Sequence, residues 1–401
     1  MRSADNSLPI GRRVAYWRGR RHLSQQVFAD RLGKSKSWVD KVERGVRALD
    51  KVSTLQEIAT VLRIDTAVLL GRTIQPVGVI ARADEVERIR AALSRYEIPL
   101  GRPPGSRQVL PADRLARQVE HAWTTFQYAR YPHLVTLLPG LLADAQRTHA
   151  ADPAGGWVPL VHAYRVTAAL LVKLGDAGLA WLAVDRAMIA ATGDRVLVAA
   201  SAVQLGQVLR AAGRAREAKS VMLAAAYRIA PPVPEYAPGP ELSLCGTLLI
   251  QAALAAARDG DDSATAELLD EATALAAQVG DGLDHHRTGF GPTSVALARA
   301  TAAVELGDAG QAIVWHQSGI RRDGWRWLAT EHRAAHLIDA ARAHLHTDDA
   351  FSAGRLLAEA DRTAPAEVRH RPAGRDLLGQ IARDPRAPTT ITHLAISLGV
   401  G

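Results

Sequence analysis

Between residues 23 and 45 the chain reads LSQQVFADRLGKSKSWVDKVERG, two short amphipathic blocks separated by one glycine. Val27, Phe28 (or Ala29) and Leu32 make an apolar stripe, with Ser24 placed to N-cap a helix from Gln25 to about Leu32. Gly33 permits the chain to turn where a Cβ would clash. Ser35 then caps a second helix over about Lys36 to Arg44, which Gly45 ends. Helices this short are unstable alone, so the pattern predicts a packed corner held at a fixed angle. In the second helix Val39 and Val42 define the inward direction. At 100° per residue, Ser37 and Arg44 point almost directly away, Asp40 and Lys41 lie about 130° from the core, and Lys36 sits on the flank. Trp38 falls at the boundary, about 70° from the core direction. The outward face is short, polar and hydrogen-bonding, with the size and chemistry to enter a DNA major groove.

Charge supports that direction. Residues 1–72 carry 15 Lys and Arg against 7 Asp and Glu, an excess of eight that equals the net +8 of the whole 401-residue chain. The remaining residues balance, so the basic excess is confined to the segment with the predicted corner. A concentrated basic segment attracts polyanions by releasing their counterions.

The Leu23-Ser24-Gln25 opening, the Ala29-to-Gly33 helix end, Ser35 and Ser37, and Val39-x-x-Val42-Glu43-Arg44-Gly45 resemble the helix-turn-helix of the Cro/C1-type (XRE) repressors. The resemblance covers residues 8–71 and implies a five-helix, lambda-repressor-like domain over residues 1–72. In it Gly11 to Arg21 is the first helix, with Ile10, Val14 and Trp17 inward. Thr54 to Leu62 is the fourth, with Leu55, Ile58, Ala59 and Leu62 apolar, and Ile64, Val68, Leu69 and Leu70 close the core. It also implies roles. Gln25, Lys36, Ser37, Asp40 and Lys41 face base edges. A lysine would donate to guanine O6/N7, and Asp40 would accept from cytosine N4. Arg12, Arg13, Ser24, Lys34, Arg44 and Arg47 hold phosphates, adding affinity without sequence choice. Lysines stand where several relatives have glutamine, which leaves the target sequence open.

Residues 73–111 read as a linker. TIQPVGVIAR is irregular, EIPLGRPPGSRQVLP is dense in Pro and Gly, and Asp84 to Tyr96 forms one helix with Val86, Ile89, Leu93 and Tyr96 on one side. A body follows over 112–401 with five recurring turn signals, around Gly175, Gly213, Gly260, Gly307 and Asp348. Ala180, Ala218, Ala312 and Ala353 stand five residues after four of the anchors, and Ala187, Ala225, Ala272 and Ala360 twelve after four. Small residues at fixed offsets let antiparallel helices approach closely. The pattern is similar to the tetratricopeptide repeat, over residues 115–384 and in degenerate form, with Gly319 in place of one expected alanine and an earlier unit at 121–146. The resemblance implies an α-solenoid with a concave face along its first helices. Counting back from the turns places His162, Arg165, Gln207, Arg210, Ser294, Thr301 and Arg342 in that groove, where a peptide or small-molecule effector would bind.

The rest bounds the reading. Cys245 is the sole cysteine, so a disulfide framework is excluded and a reducing compartment fits. No signal-peptide pattern and no apolar run near 18 residues is evident, which places the protein in the cytoplasm, at the nucleoid, and away from membranes. Asp284-His285-His286 lacks ligand spacing and reads as a surface loop; no metal or cofactor is expected. Trp325-Arg326-Trp327 reads as packing between repeats. No phosphate loop, nucleophile elbow or paired carboxylates point to an enzyme. The expectation is an all-α, homodimeric transcriptional regulator that reads double-stranded DNA through its head and dimerises or senses an effector through its array. The alternatives are an interaction scaffold tethered to DNA, or a repressor of a phage or toxin–antitoxin system.

Overall fold

The computed structural model describes residues 9–21, 23–47, 49, 52–62, 77–95, 109–232, 234 and 237–400. These residues form α-helices, short 3-10 helices and loops, with no strand among them, so the protein is all-α. The chain divides into two compact units, Met1–Ala83 and Asp84–Gly401.

The first unit contains α1 (Ile10–Arg20), α2 (Gln25–Arg31), α3 (Lys36–Glu43) and α4 (Val52–Leu62). Val14, Phe28, Ala29, Val39, Val42, Ile58, Ala59 and Leu62 form its core, with Trp17, Leu32 and Trp38 partly buried against it. The helices bury the stripes their periodicity marked, except that Val27 of α2 is exposed: Phe28 and Ala29 take the inward direction and turn Val27 to the outside. Gly11 is where α1 crosses α3: a Cβ there would lie 2.0 Å from the Val42 carbonyl oxygen. The expected fifth helix and its Ile64, Val68, Leu69 and Leu70 lie outside the described residues.

α5 (Val77–Leu93) spans the division between the units, and its residues from Asp84 on belong to the second. It begins well before the expected Asp84, because Gly and β-branched residues cost a continuous helix only tenths to about 1 kcal/mol each. Ile89 and Leu93 are fully buried; Tyr96 lies outside the described residues.

The rest of the second unit is a stack of antiparallel helix pairs: α6 (Ala112–Gln127) with α7 (Tyr131–Ala151), α8 (Pro153–Leu174) with α9 (Ala177–Ala190), and α10 (Arg195–Ala211) with α11 (Ala215–Ile229). Then come α12 (Gly239–Arg258) with α13 (Asp262–Val279), α14 (Pro292–Leu306) with α15 (Ala309–Ile320), and α16 (Thr330–His346) with α17 (Ala350–Thr363). The chain closes with α18 (Pro365–Arg369), α19 (Pro372–Ala382) and α20 (Thr389–Ser397). The first helices of successive pairs pack on one another, the tetratricopeptide-like arrangement.

Local chemistry explains the beat. All five anchors adopt the left-handed conformation: Gly175 (φ 83°), Gly213 (76°), Gly260 (79°), Gly307 (85°) and Asp348 (60°). At four of them the next residue is an aspartate whose carboxylate caps the second helix: Asp176 on Leu179 N, Asp261 on Ala264 N, Asp308 on Gln311 N and Asp349 on Ser352 N. The alanines at both offsets are buried. At Gly319, which stands where an alanine is expected, a Cβ would lie 2.6 Å from Leu297 Cδ2, so that side-chain end would have to shift to admit one. α12 is long and apolar enough to cross a membrane by composition, an amendment to the sequence reading; most of it is buried among its neighbours.

The stack also closes on itself. α16 packs on α6, and a single apolar core joins α5–α9 to α16–α20. Lys173 of α8 bridges Glu331 of α16 at 2.7 Å and Glu367 of α18 at 2.8 Å. Glu367 is fully buried and also accepts from Tyr131 Oη and from Arg371 Nη1 at 3.2 Å. Burial alone would raise the Glu367 pKa, but Lys173, Arg371 and Tyr131 outweigh it and hold it below the ordinary value.

Candidate nucleic-acid interface

The corner between α2 and α3 is set by its caps. Ser24 Oγ accepts from Val27 N at 3.2 Å, and Ser35 Oγ accepts from Trp38 N at 3.1 Å. Gly33 (φ 62°) and Gly45 (φ 75°) supply the left-handed residues that end the two helices. An eight-residue α3 is about 12 Å long, close to the width of a B-DNA major groove.

Behind the corner lies an ionic lock. Glu43 is only 6% exposed. It accepts from Arg18 Nε at 2.6 Å, from Arg18 Nη2 at 3.2 Å and from Gln25 Nε2 at 2.8 Å. Arg18 Nη1 also donates to the Leu23 carbonyl at 2.6 Å. One carboxylate thus ties α1, the start of α2 and the end of α3 together. Gln25, expected against DNA, is engaged in this lock. Sequence reasoning gave Arg18 and Glu43 no role. The available signal was an acid inside an otherwise basic motif, which must find a cation once it is buried.

The remaining candidates lie on the outside. Lys36, Ser37 and Lys41 of α3 are exposed, as are Arg12, Ser24, Lys34, Arg44 and Arg47; Arg13 and Asp40 are half-buried. Asp40 pairs with Arg44 one turn later. The Arg47 guanidinium lies over the Trp38 ring, 5.9 Å from its centroid, so the half-buried indole has a cation against it. Lys34, Lys36 and Lys41 have no ion-pair partner among the described residues.

The candidates on the array have a different fate. Arg165 is fully buried and donates to Gln204 Oε1 at 2.9 Å, from α8 to α10. Arg210 donates to Gln251 at 2.6 Å, from α10 to α12. Thr301 donates to Asp339 at 3.3 Å and Arg342 to Glu305 at 2.7 Å, both between α14 and α16. Ser294 is 5% exposed and its hydroxyl closes the N-terminus of α14 on Gly291. Gln207 and His162 are half-buried. Four of the seven therefore bond one first helix to the next rather than standing free in an open groove. Burial pushes the Arg165 guanidinium down to about 9 and Arg210 to about 10. Cys245 is buried, which raises its thiol to about 11.

Trp325 packs edge-on against His336, whereas Trp327 is 63% exposed beneath Arg326. Among the described residues no group of three His, Cys, Asp or Glu side chains is placed to hold a metal.

No match is found among curated proteins. Among solved structures, Bacillus thuringiensis PlcR in complex with the peptide PapR7 and DNA aligns over 77% of this chain and 92% of its own, at 12% identity and a TM-score of 0.36. That likeness is too distant to transfer residue roles. Residues 9–70 match the family model described as "Helix-turn-helix domain", so the N-terminal segment of this chain is a helix-turn-helix domain.

Proposed function

We propose that the protein is a sequence-specific DNA-binding transcriptional regulator, with α3 as the helix that reads operator DNA. The observation that carries the reading is the polar face of α3, whose Lys36, Ser37 and Lys41 are exposed on a corner fixed by two serine caps and the Glu43 lock. Lys36 and Lys41 donate to guanine edges, and Ser37 adds a hydroxyl contact. Asp40 accepts from cytosine once Arg44 turns to a phosphate. Arg12, Arg13, Ser24, Lys34 and Arg47 supply further phosphate contacts, and Gln25 fixes the start of α2 where it meets the backbone. The array dimerises the protein, senses an effector, or both, with two heads on half-sites about one helical turn apart. An effector shifts that spacing only by binding one array geometry more tightly than another.

The test is selection of bound sites from random duplex DNA with the full chain and with Lys36→Ala and Lys41→Ala. A regulator prefers its site over random DNA by about 10³ or more, and each substitution relaxes preference at one or two positions. A scaffold merely tethered to DNA shows no such ratio. Unchanged preference in both variants rules out α3 as the reading helix.

A further inference from the structure

A cavity of about 450 Å³ opens between α6, α8 and the loop joining α13 to α14, within the size range of small-molecule sites. Its walls are apolar on α6 and α8, at Val119, Val158 and Pro159, with Trp123 and His162 beside them. The loop supplies His286, which adopts φ 53° next to Arg287 at φ 64°, two consecutive left-handed residues without glycine. Arg287 pairs with Glu120 of α6, and Gln127 of α6 donates to Asp284 at 2.6 Å. The loop is thus bonded across the inner side of the stack, leaving a pocket rather than a continuous trough.

Three features of this pocket leave charge or hydrogen-bonding capacity that the protein itself does not satisfy. First, Arg165 lies directly behind it, fully buried, donating to His162 Nδ1 at 3.0 Å and to the His286 carbonyl at 3.4 Å, with Trp123 5.4 Å away beneath its guanidinium. No carboxylate pairs with it among the described residues, so its charge is uncompensated where solvent does not screen it. Second, an arginine can only donate, so His162 Nδ1 must be the acceptor and the neutral ring carries its proton on Nε2. Burial and the Arg165 charge hold His162 down to about 3, so the ring is neutral at physiological pH. That Nε2–H, on the ring edge away from Arg165, has no protein partner among the described residues. Third, Trp123 Nε1 and His286 Nε2 are buried polar atoms without partners, both on cavity-lining side chains.

We propose that this cavity binds a small aryl carboxylate, its ring against Trp123 and the apolar wall and its carboxylate accepting from His162 Nε2–H with the Arg165 charge behind. The acidic groups nearby do not reverse the sign. Glu120 and Asp284 stand at the water-exposed rim and already share Arg287, whereas Arg165 is wholly inside. An extended peptide would have to break the loop's bonds to α6 to enter. The assignment deepens the effector-sensing part of the proposed function, and it is tested without DNA so that either can fail alone.

Calorimetric titration of the full chain with benzoate, 1-naphthoate and indole-3-acetate is expected to give saturable one-to-one binding for at least one acid. Indole-3-acetamide and tryptamine should bind at least about tenfold more weakly than the indole acid, the loss of one charge-assisted hydrogen bond. His162→Phe and Arg165→Met should each weaken binding by a similar factor, with Arg165→Lys recovering part of it, at unchanged helical circular dichroism. Should Arg165→Met not fold, His162→Phe and the acid–amide pair still decide. Absence of saturable binding for all three acids up to about 1 mM overturns the proposal. So does equal affinity for acid and amide, or tighter binding of an apolar hexapeptide than of any aryl acid.

Discussion

The outer face of α3 and the inner helices of the array use their polar side chains in opposite ways. On the outer face of α3, Lys36, Ser37 and Lys41 are exposed and the two lysines are without ion-pair partners among the described residues. On the inner helices of the array, Arg210, Arg342, Lys173 and Glu367 are bonded to neighbouring helices. A charge left exposed retains its hydration and stays available to a partner. A charge bonded inside has lost its hydration, and removing its mate leaves it stranded. The difference predicts that substitutions of the bonded array residues should act on stability and those on the outer face of α3 on recognition, with little exchange between the two.

The largest effect is expected at Glu367. Glu367→Ala removes the common partner of Tyr131, Lys173 and Arg371, all joined at a fully buried carboxylate. Breaking a buried network of this kind costs about 3–5 kcal/mol. Urea denaturation of the full chain should show that loss, while the DNA-site preference of the folded fraction stays the same. A loss below about 1 kcal/mol would mean that the two ends of the stack are held by apolar packing alone.

Acid should separate the units next. His316 and His336 bond each other at 2.9 Å, each 4% exposed, and burial holds them down to about 4 and about 3. In the unfolded chain they protonate near 6.5, whereas in the fold they stay neutral. Their contribution is complete above pH 6.5 and is lost as pH falls toward 4, by about 1.4 kcal/mol per pH unit for each ring. The first unit carries one histidine, His22. Melting of the array should therefore shift down between pH 7 and 5 far more than melting of the head, and His336→Phe should reduce the array's response, which His162 and His286, also held down by burial, continue to share. Parallel shifts of both would defeat the assignment.

These sites also show what the sequence could and could not reveal. Left-handed turns need glycine or a short polar residue, and close helix contacts need small side chains, so the five anchors and their alanines are legible at fixed spacing. The α3 face is legible because one helical turn repeats every few residues. Glu43 and Glu367 are not, since each reads as a surface acid until its partners arrive. Lys173 and Glu331 are 158 residues apart, and no local period encodes such a pairing. Likewise, Asp284-His285-His286 reads as a surface loop, but the structure makes His285–Arg287 a 3-10 turn with His286 half-buried, and nothing in the spacing says that it lies across α6 and α8.

Recognition should change on a smaller scale of energy. Lys41→Ala is expected to cost about 1–3 kcal/mol of binding to the selected site and less to random DNA, because a base contact carries discrimination. Stability should move by no more than about 0.5 kcal/mol, since the side chain is exposed. Gel-shift titration against both DNAs checks the first statement and thermal melting the second. A loss of stability instead would move Lys41 to the array's mode of use.

Arg47→Ala should give the smallest effect and the finest discrimination. Arg47 is exposed and rests on the Trp38 ring, so its loss removes a surface cation–π contact worth about 0.5–1 kcal/mol and, on DNA, one phosphate contact. A phosphate contact is blind to sequence. Affinity should therefore fall by the same factor on selected and random duplexes, and the slope of log K against log salt should shrink by about 0.9. If the selected site alone lost affinity, Arg47 would be reading bases, and the line drawn here between the face of α3 and its flanks would have to move. If neither DNA lost affinity and only the melting temperature fell, the guanidinium would be serving Trp38, which is how the array uses its arginines.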